Sequence, residues 1–201
     1  RSYTITLQLG LVIQVEAIDI NLTQNGCTAS DKNDLAKLRW ATGNLKSTGS
    51  TNYVWASSTD RGYYYTWYST YTGNTNINNT DPCSKLNTAY YGTGWRTPSK
   101  NELTKLARCT NKILTNSGMW FMNNSIGLFL PAAGCRQDGN GSNTSPTTEY
   151  GTDGYYWSSD IGNGNNTGKR LYFGKRYNTA DVADHAKNAG LTVRCVKGTK
   201  Q

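Results

Sequence analysis

The chain has 201 residues, of which 36% are apolar and 17% charged, with 21 Gly, 14 Tyr and only 2 Met. That composition excludes a helical bundle or a long coiled coil, and no apolar run approaches the roughly 18 residues of a membrane-spanning helix. The net charge is +8, but the basic residues are dispersed, so nucleic acid is not an expected partner.

Residues 2–9 alternate, with Tyr3, Ile5, Leu7 and Leu9 on one face and Thr4, Thr6 and Gln8 on the other. This pattern predicts a half-buried strand. A second strand is expected within 11–20, before the Asn25-Gly26 turn. A hairpin of this size is not stable alone. Residues 1–25 are therefore expected to lie at the edge of the remainder, or to finish a preceding β-domain, and residues 26–201 to form the main domain. The chain starts at Arg1 without a Met. The expectation is a processed or truncated piece whose signal peptide lay upstream.

Short strands are expected at 38–41 and 53–55. The aromatic run 63–68 reads as a strand with Tyr63, Tyr65 and Trp67 on one face. One helix start is strongly marked. Pro98 precedes a capping box, Ser99-Lys100-Asn101-Glu102, and Leu103, Leu106 and Ala107 form a stripe behind it. The predicted helix is about 100–109. Strands follow at 118–122, 127–133, 154–159, 170–175 and 191–197, with polar loops at 137–153 and 162–168 between them. Lys169, Arg170, Lys175 and Arg176 read as a solvated face, and Trp95, Trp120 and Trp157 as core.

Few residues can carry covalent chemistry. His185 is the sole histidine, sits in a polar stretch, and reads as a surface side chain. No Gly-x-Ser-x-Gly elbow accompanies it, which argues against a serine hydrolase. Asp138, Glu149, Asp153 and Asp160 could serve as paired acids of a glycosidase, but no spacing here fixes their separation. Cys27, Cys83, Cys109, Cys135 and Cys195 are far apart, with no Cys-x-x-Cys pair. Such spacing suits disulfides in an oxidising compartment, and several pairings are open. The 137–153 loop offers Asp138, Asn140, Asn143, Tyr150 and Asp153 as ligand-binding residues. No cofactor is expected; calcium is the one ion that the oxygens of this loop could hold.

Six ordered blocks carry a family resemblance. They are Leu38-Arg39-Trp40-Ala41-Thr42-Gly43-Asn44-Leu45, Asp81-Pro82-Cys83-Ser84-Lys85, and Gly94-Trp95-Arg96-Thr97-Pro98-Ser99-Lys100-Asn101-Glu102-Leu103. Leu128-Phe129-Leu130-Pro131-Ala132-Ala133-Gly134, Gly154-Tyr155-Tyr156-Trp157-Ser158-Ser159 and Leu191-Thr192-Val193-Arg194-Cys195-Val196 follow. Together, over about residues 38–198, they resemble the Fibrobacter succinogenes major paralogous domain, a family of secreted and surface modules common in Bacteroidetes. The resemblance implies an α+β, C-type-lectin-like domain with a twisted antiparallel sheet, one clear helix and long loops. It also implies that residues 2–9 resemble the closing strand of a fimbrillin-like β-domain. The related formylglycine-generating enzymes use a cysteine pair that has no counterpart beside Cys195, and the sugar-binding strings of calcium lectins are absent.

In the wider fold a cysteine ahead of the main helix is tied to the last strand, which implies a Cys83–Cys195 bridge. Cys109 and Cys135 are the expected second bridge, with Cys27 left over. The function implied is a non-catalytic cell-surface adhesion or recognition module, secreted or fimbrial, that binds a glycan or a host or bacterial surface protein, with other fimbrial subunits as further partners. Two rivals are an extracellular enzyme domain acting on a polymer and a structural spacer in a multidomain surface protein.

Overall fold

The computed structural model describes residues 18–19, 26–47, 53–70, 77–124, 126–136, 149–177 and 179–201. In chain order the elements are β1 (Ile18–Asp19), α1 (Ala29–Ala36), β2 (Arg39–Trp40), β3 (Leu45–Ser47) and β4 (Tyr53–Trp55). A 3-10 turn (Pro82–Lys85), α2 (Thr88–Tyr91), β5 (Trp95–Arg96) and α3 (Lys100–Cys109) follow. The rest is strand: β6 (Asn111–Leu114), β7 (Gly118–Met122), β8 (Gly127–Pro131), β9 (Asp153–Ile161), β10 (Thr167–Gly174), β11 (Thr179–Ala186) and β12 (Val196–Lys197).

The strands form four small antiparallel sheets, ordered β1-β6-β7-β8, β11-β10-β9, β2-β12-β5 and β3-β4. This corrects the expected α+β, C-type-lectin-like fold: the molecule is mainly β, and its helices have 8, 4 and 10 residues. Segment 191–197 shows why a single twisted sheet does not form. Only Val196–Lys197 joins a ladder, whereas Leu191 and Thr192 make single bridges, to Tyr65 and Tyr156. The segment thus runs between sheets. The 63–68 run is likewise no strand; its one bridge is Tyr65 to Leu191, and Tyr68 takes a positive φ of 45°.

Helix α3 has the bounds that its capping box predicts. Ser99 Oγ accepts from Glu102 N at 3.1 Å, and Glu102 Oε2 accepts from Ser99 N at 2.7 Å. The Glu102 carboxylate is fully buried and meets Arg96 through two bonds of 2.8 and 2.6 Å, a bidentate pair that satisfies it away from water. Helix α1 also has a capping box, Thr28 with Asp31, but buries only Leu35. Its weak apolar face hides it from a reading by periodicity.

Sheet β11-β10-β9 lies between two cores. Its α3 side carries Tyr156, Leu171, Phe173, Ala180 and Val182, packed with Leu103, Leu106, Phe121 and Leu130. Its other side carries Tyr155, Trp157 and Tyr172, packed with Tyr65, Trp67, Leu191 and Val193. Within the sheet, the Phe173 ring lies across its paired residue and needs glycine at 154, where a Cβ would meet that ring at 2.2 Å.

Two disulfides are formed. Cys83–Cys195 joins the 3-10 turn to the chain entering β12. The second is Cys27–Cys109, which corrects the expected Cys109–Cys135 pair. Helix α1 brings Cys27 against the end of α3, while Cys135 sits in the other core as a thiol. Ile18–Asp19 pairs with β6 at a sheet edge, and the remainder of the predicted N-terminal strands lies outside the described residues. No helix among the described residues is long and apolar enough to cross a membrane.

Candidate functional site

The side of sheet β11-β10-β9 away from α3 concentrates cations and aromatic rings. Strand alternation places Arg170 and Tyr172 of β10 on the face that Tyr155 and Trp157 of β9 and His185 of β11 share. The Arg170 guanidinium lies 4.8 Å from the Tyr155 ring centroid and 4.9 Å from that of Tyr172. Such a sandwich uses the negative ring faces. Nε and Nη1 of Arg170 are buried and have no hydrogen-bond acceptor among the described residues. Tyr177 extends the group, with its hydroxyl 3.0 Å from that of Tyr155 and its ring against Tyr172. Beyond His185, Lys187 Nζ lies 4.4 Å over the Trp67 ring.

These placements correct two readings. His185 is in β11, half-buried beside Tyr155 and Trp157, and not in a polar surface loop. Burial and the neighbouring Arg170 lower its pKa to about 4. The 169–176 basic cluster is not a uniformly solvated face either. Lys169 is buried and ion-paired with Asp184, and Arg170 is held between rings. The sequence signal for β11, Thr179–Ala186, is faint because its inward positions include only Ala180 and Val182 as apolar side chains.

The mouth of the 137–153 loop adjoins this face. Asp138, Asn140 and Asn143 lie outside the described residues. Tyr150 is 48% exposed, with the Arg61 guanidinium 5.4 Å over its ring and 5.8 Å from the ring of Tyr64. Asp153 is buried. Its carboxylate accepts from Thr152 Oγ1 at 3.1 Å and from Arg176 N at 3.2 Å, which holds the entry to β9. Of the loop residues chosen from sequence, the described structure thus brings Tyr150 to the surface and turns Asp153 inward.

The thiol of Cys135 lies in the same region and donates to Glu149 Oε2 at 3.8 Å. Burial and that carboxylate push its pKa up to about 12, so it is not a thiolate at neutral pH. Among the described residues, one group of three metal-ligating side chains gathers within 4.8 Å: Cys27, Asp31 and Cys109. Its two sulfurs are bonded to each other and serve as no ligand pair.

Residues 116–196 match a family described as Domain of unknown function (DUF8237). The matched segment starts just ahead of β7 and ends at Val196, so it includes Tyr150, Arg170, His185 and Arg194. No curated protein matches the chain significantly, and no solved structure does.

Proposed function

We propose that this domain is a non-catalytic recognition module that works outside the cell, on a bacterial surface or fimbria. Its binding face is the Tyr155–Arg170–Tyr172 group with Tyr177 and Tyr150, and its ligand is a hydroxyl-rich glycan. The observation that carries this reading is the half-buried, ring-clamped Arg170, two of whose N–H donors have no acceptor among the described residues. A clamped guanidinium loses little side-chain entropy on binding, and the partly exposed rings of Tyr172 and Tyr177 give flat contact area to sugar C–H faces.

The detuned side chains support a module without chemistry of its own. A base with a pKa of about 4 is a poor proton acceptor, and a thiol near 12 a poor nucleophile at neutral pH. The two disulfides support an oxidising setting. The six motif blocks that resemble the Fibrobacter succinogenes major paralogous domain support a surface role, and other fimbrial subunits are proposed neighbours. Individual sites of this kind are weak, and a fimbria that repeats them gains avidity by multivalency.

A glycan array with and without EDTA, repeated with Arg170→Ala, tests the reading. The expected result is EDTA-insensitive binding that falls at least about tenfold in the variant. Loss with EDTA would assign the site to calcium. Unchanged binding by Arg170→Ala, with loss in an Asp138→Ala/Asn140→Ala/Asn143→Ala variant, would move the site to the loop. Binding to host proteins but to no glycan would overturn the glycan assignment.

A further inference from the structure

A groove of about 380 Å³ lies on a different part of the molecule, between the β2 segment and the β7–β8 hairpin. Its walls include Trp40, Trp120 and Phe129, and Thr42 and Ser58 contribute hydroxyls. Trp120 and Phe129 stand side by side at 5.1 Å between ring centroids. Arg194 is also part of the lining, although it is only 2% exposed.

Arg194 is the unusual member. Its Nε donates to Asn44 Oδ1 at 2.7 Å and its Nη1 to Ala41 O at 3.1 Å, while Nη2 has no acceptor among the described residues. No carboxylate among the described residues forms an ion pair with it. A buried guanidinium answered only by neutral acceptors leaves a positive charge uncompensated, and such a charge favours an anion beside it. Trp40 Nε1, in the same lining, is a second buried donor without an acceptor among the described residues.

We infer that this groove binds an acidic sugar residue, with the carboxylate directed to Arg194 and the ring packed on Trp40 and Trp120. Three features select this occupant together. The cation answers the carboxylate, the indoles offer flat apolar faces to a pyranose ring, and Thr42 and Ser58 offer hydrogen bonds to ring hydroxyls. The site is separate from the Arg170 face and does not depend on the reading given for that face.

The test is tryptophan fluorescence and NMR titration of the whole chain with glucuronate, glucose, acetate and a short peptide bearing a free C-terminal carboxylate. Glucuronate is expected to bind, with glucose and acetate each at least about tenfold weaker because each lacks one half of the recognition. Arg194→Lys disturbs the bonds to Asn44 and Ala41 and can cost the fold, so two further variants carry the test. Ser58→Asp, at an exposed position, places a negative charge at the groove and should weaken glucuronate more than glucose. Trp120→Ala removes a wall and should weaken glucuronate at least about tenfold. Glucuronate should shift the indole N–H signals of Trp40 and Trp120 and leave that of Trp157, beside Arg170, in place, which separates this site from the other. Equal affinity for glucose and glucuronate, no effect of Ser58→Asp and Trp120→Ala, or preference for the peptide would each overturn the assignment.

Discussion

His185 shows how a single residue acquires a pH dependence from its neighbours. The folded chain holds its imidazole near 4, against an ordinary value of 6.5, because burial and Arg170 both oppose the charged form. Between those two values the unfolded chain binds more proton than the folded one, so stability falls as pH drops through that window and is flat above it. Asp31, Asp34 and Asp184 are held below the ordinary carboxylate value of 3.8, so their contributions are lost only at lower pH. Urea melts between about pH 7 and about pH 4.5 should show the loss, and His185→Gln should flatten it. An unchanged slope in the variant would assign the pH dependence to other groups. At the same scale, Ser99→Ala should cost about 1 kcal/mol, since the hydroxyl satisfies the first-turn amide of Glu102. Chemical denaturation measures it directly.

Helix α1 is an element held from outside. Its own apolar contribution is Leu35, and Lys105 reaches Asp34 at 2.7 Å and Asp31 at 3.6 Å from α3. Ion pairs this close to solvent contribute little. The Cys27–Cys109 bridge closes a separation of 82 residues and is the stronger tie. Cys27→Ala with Cys109→Ala should cost about 2–5 kcal/mol, and hydrogen exchange should rise first at Ala29–Ala36. Equal exchange in both forms would mean that packing of Leu35 alone holds the helix. Non-reducing peptide mapping should also return Cys83–Cys195, with Cys135 alkylated only after unfolding because its thiol is buried and its pKa is near 12.

The whole molecule carries a net charge of +8 on a scaffold of small sheets rather than one continuous layer. A field of that sign speeds encounter with acidic surfaces and is screened beyond about 8 Å at physiological salt. Association with acidic polysaccharide should therefore slow as salt is raised, while dissociation from a neutral glycan changes little. Surface plasmon resonance over a salt series separates the two. A neutral glycan whose dissociation accelerates as strongly as an acidic one would point to non-specific charge attraction instead of the ring-and-hydroxyl contacts argued for the Arg170 face.

Much of the local structure was legible in residue order alone. The Ser99–Glu102 box and its apolar stripe determine α3 because capping and periodicity are short-range, and Gly118–Met122 reads as a strand for the same reason. That the cysteines form disulfides was likewise legible from their separation, and the Cys83–Cys195 pair from the family resemblance. The partner of Cys109 was not, because it depends on where the weakly patterned α1 docks. Tertiary structure alone decided that Arg170 is clamped and Arg194 left with a donor to spare, since each outcome rests on a residue far away in sequence, Tyr155 of β9 for the one and Ala41 and Asn44 for the other. It also decided the fold class. Short strands carry little information about which neighbour they pair with, and pairing is settled by long-range packing that no window along the chain contains.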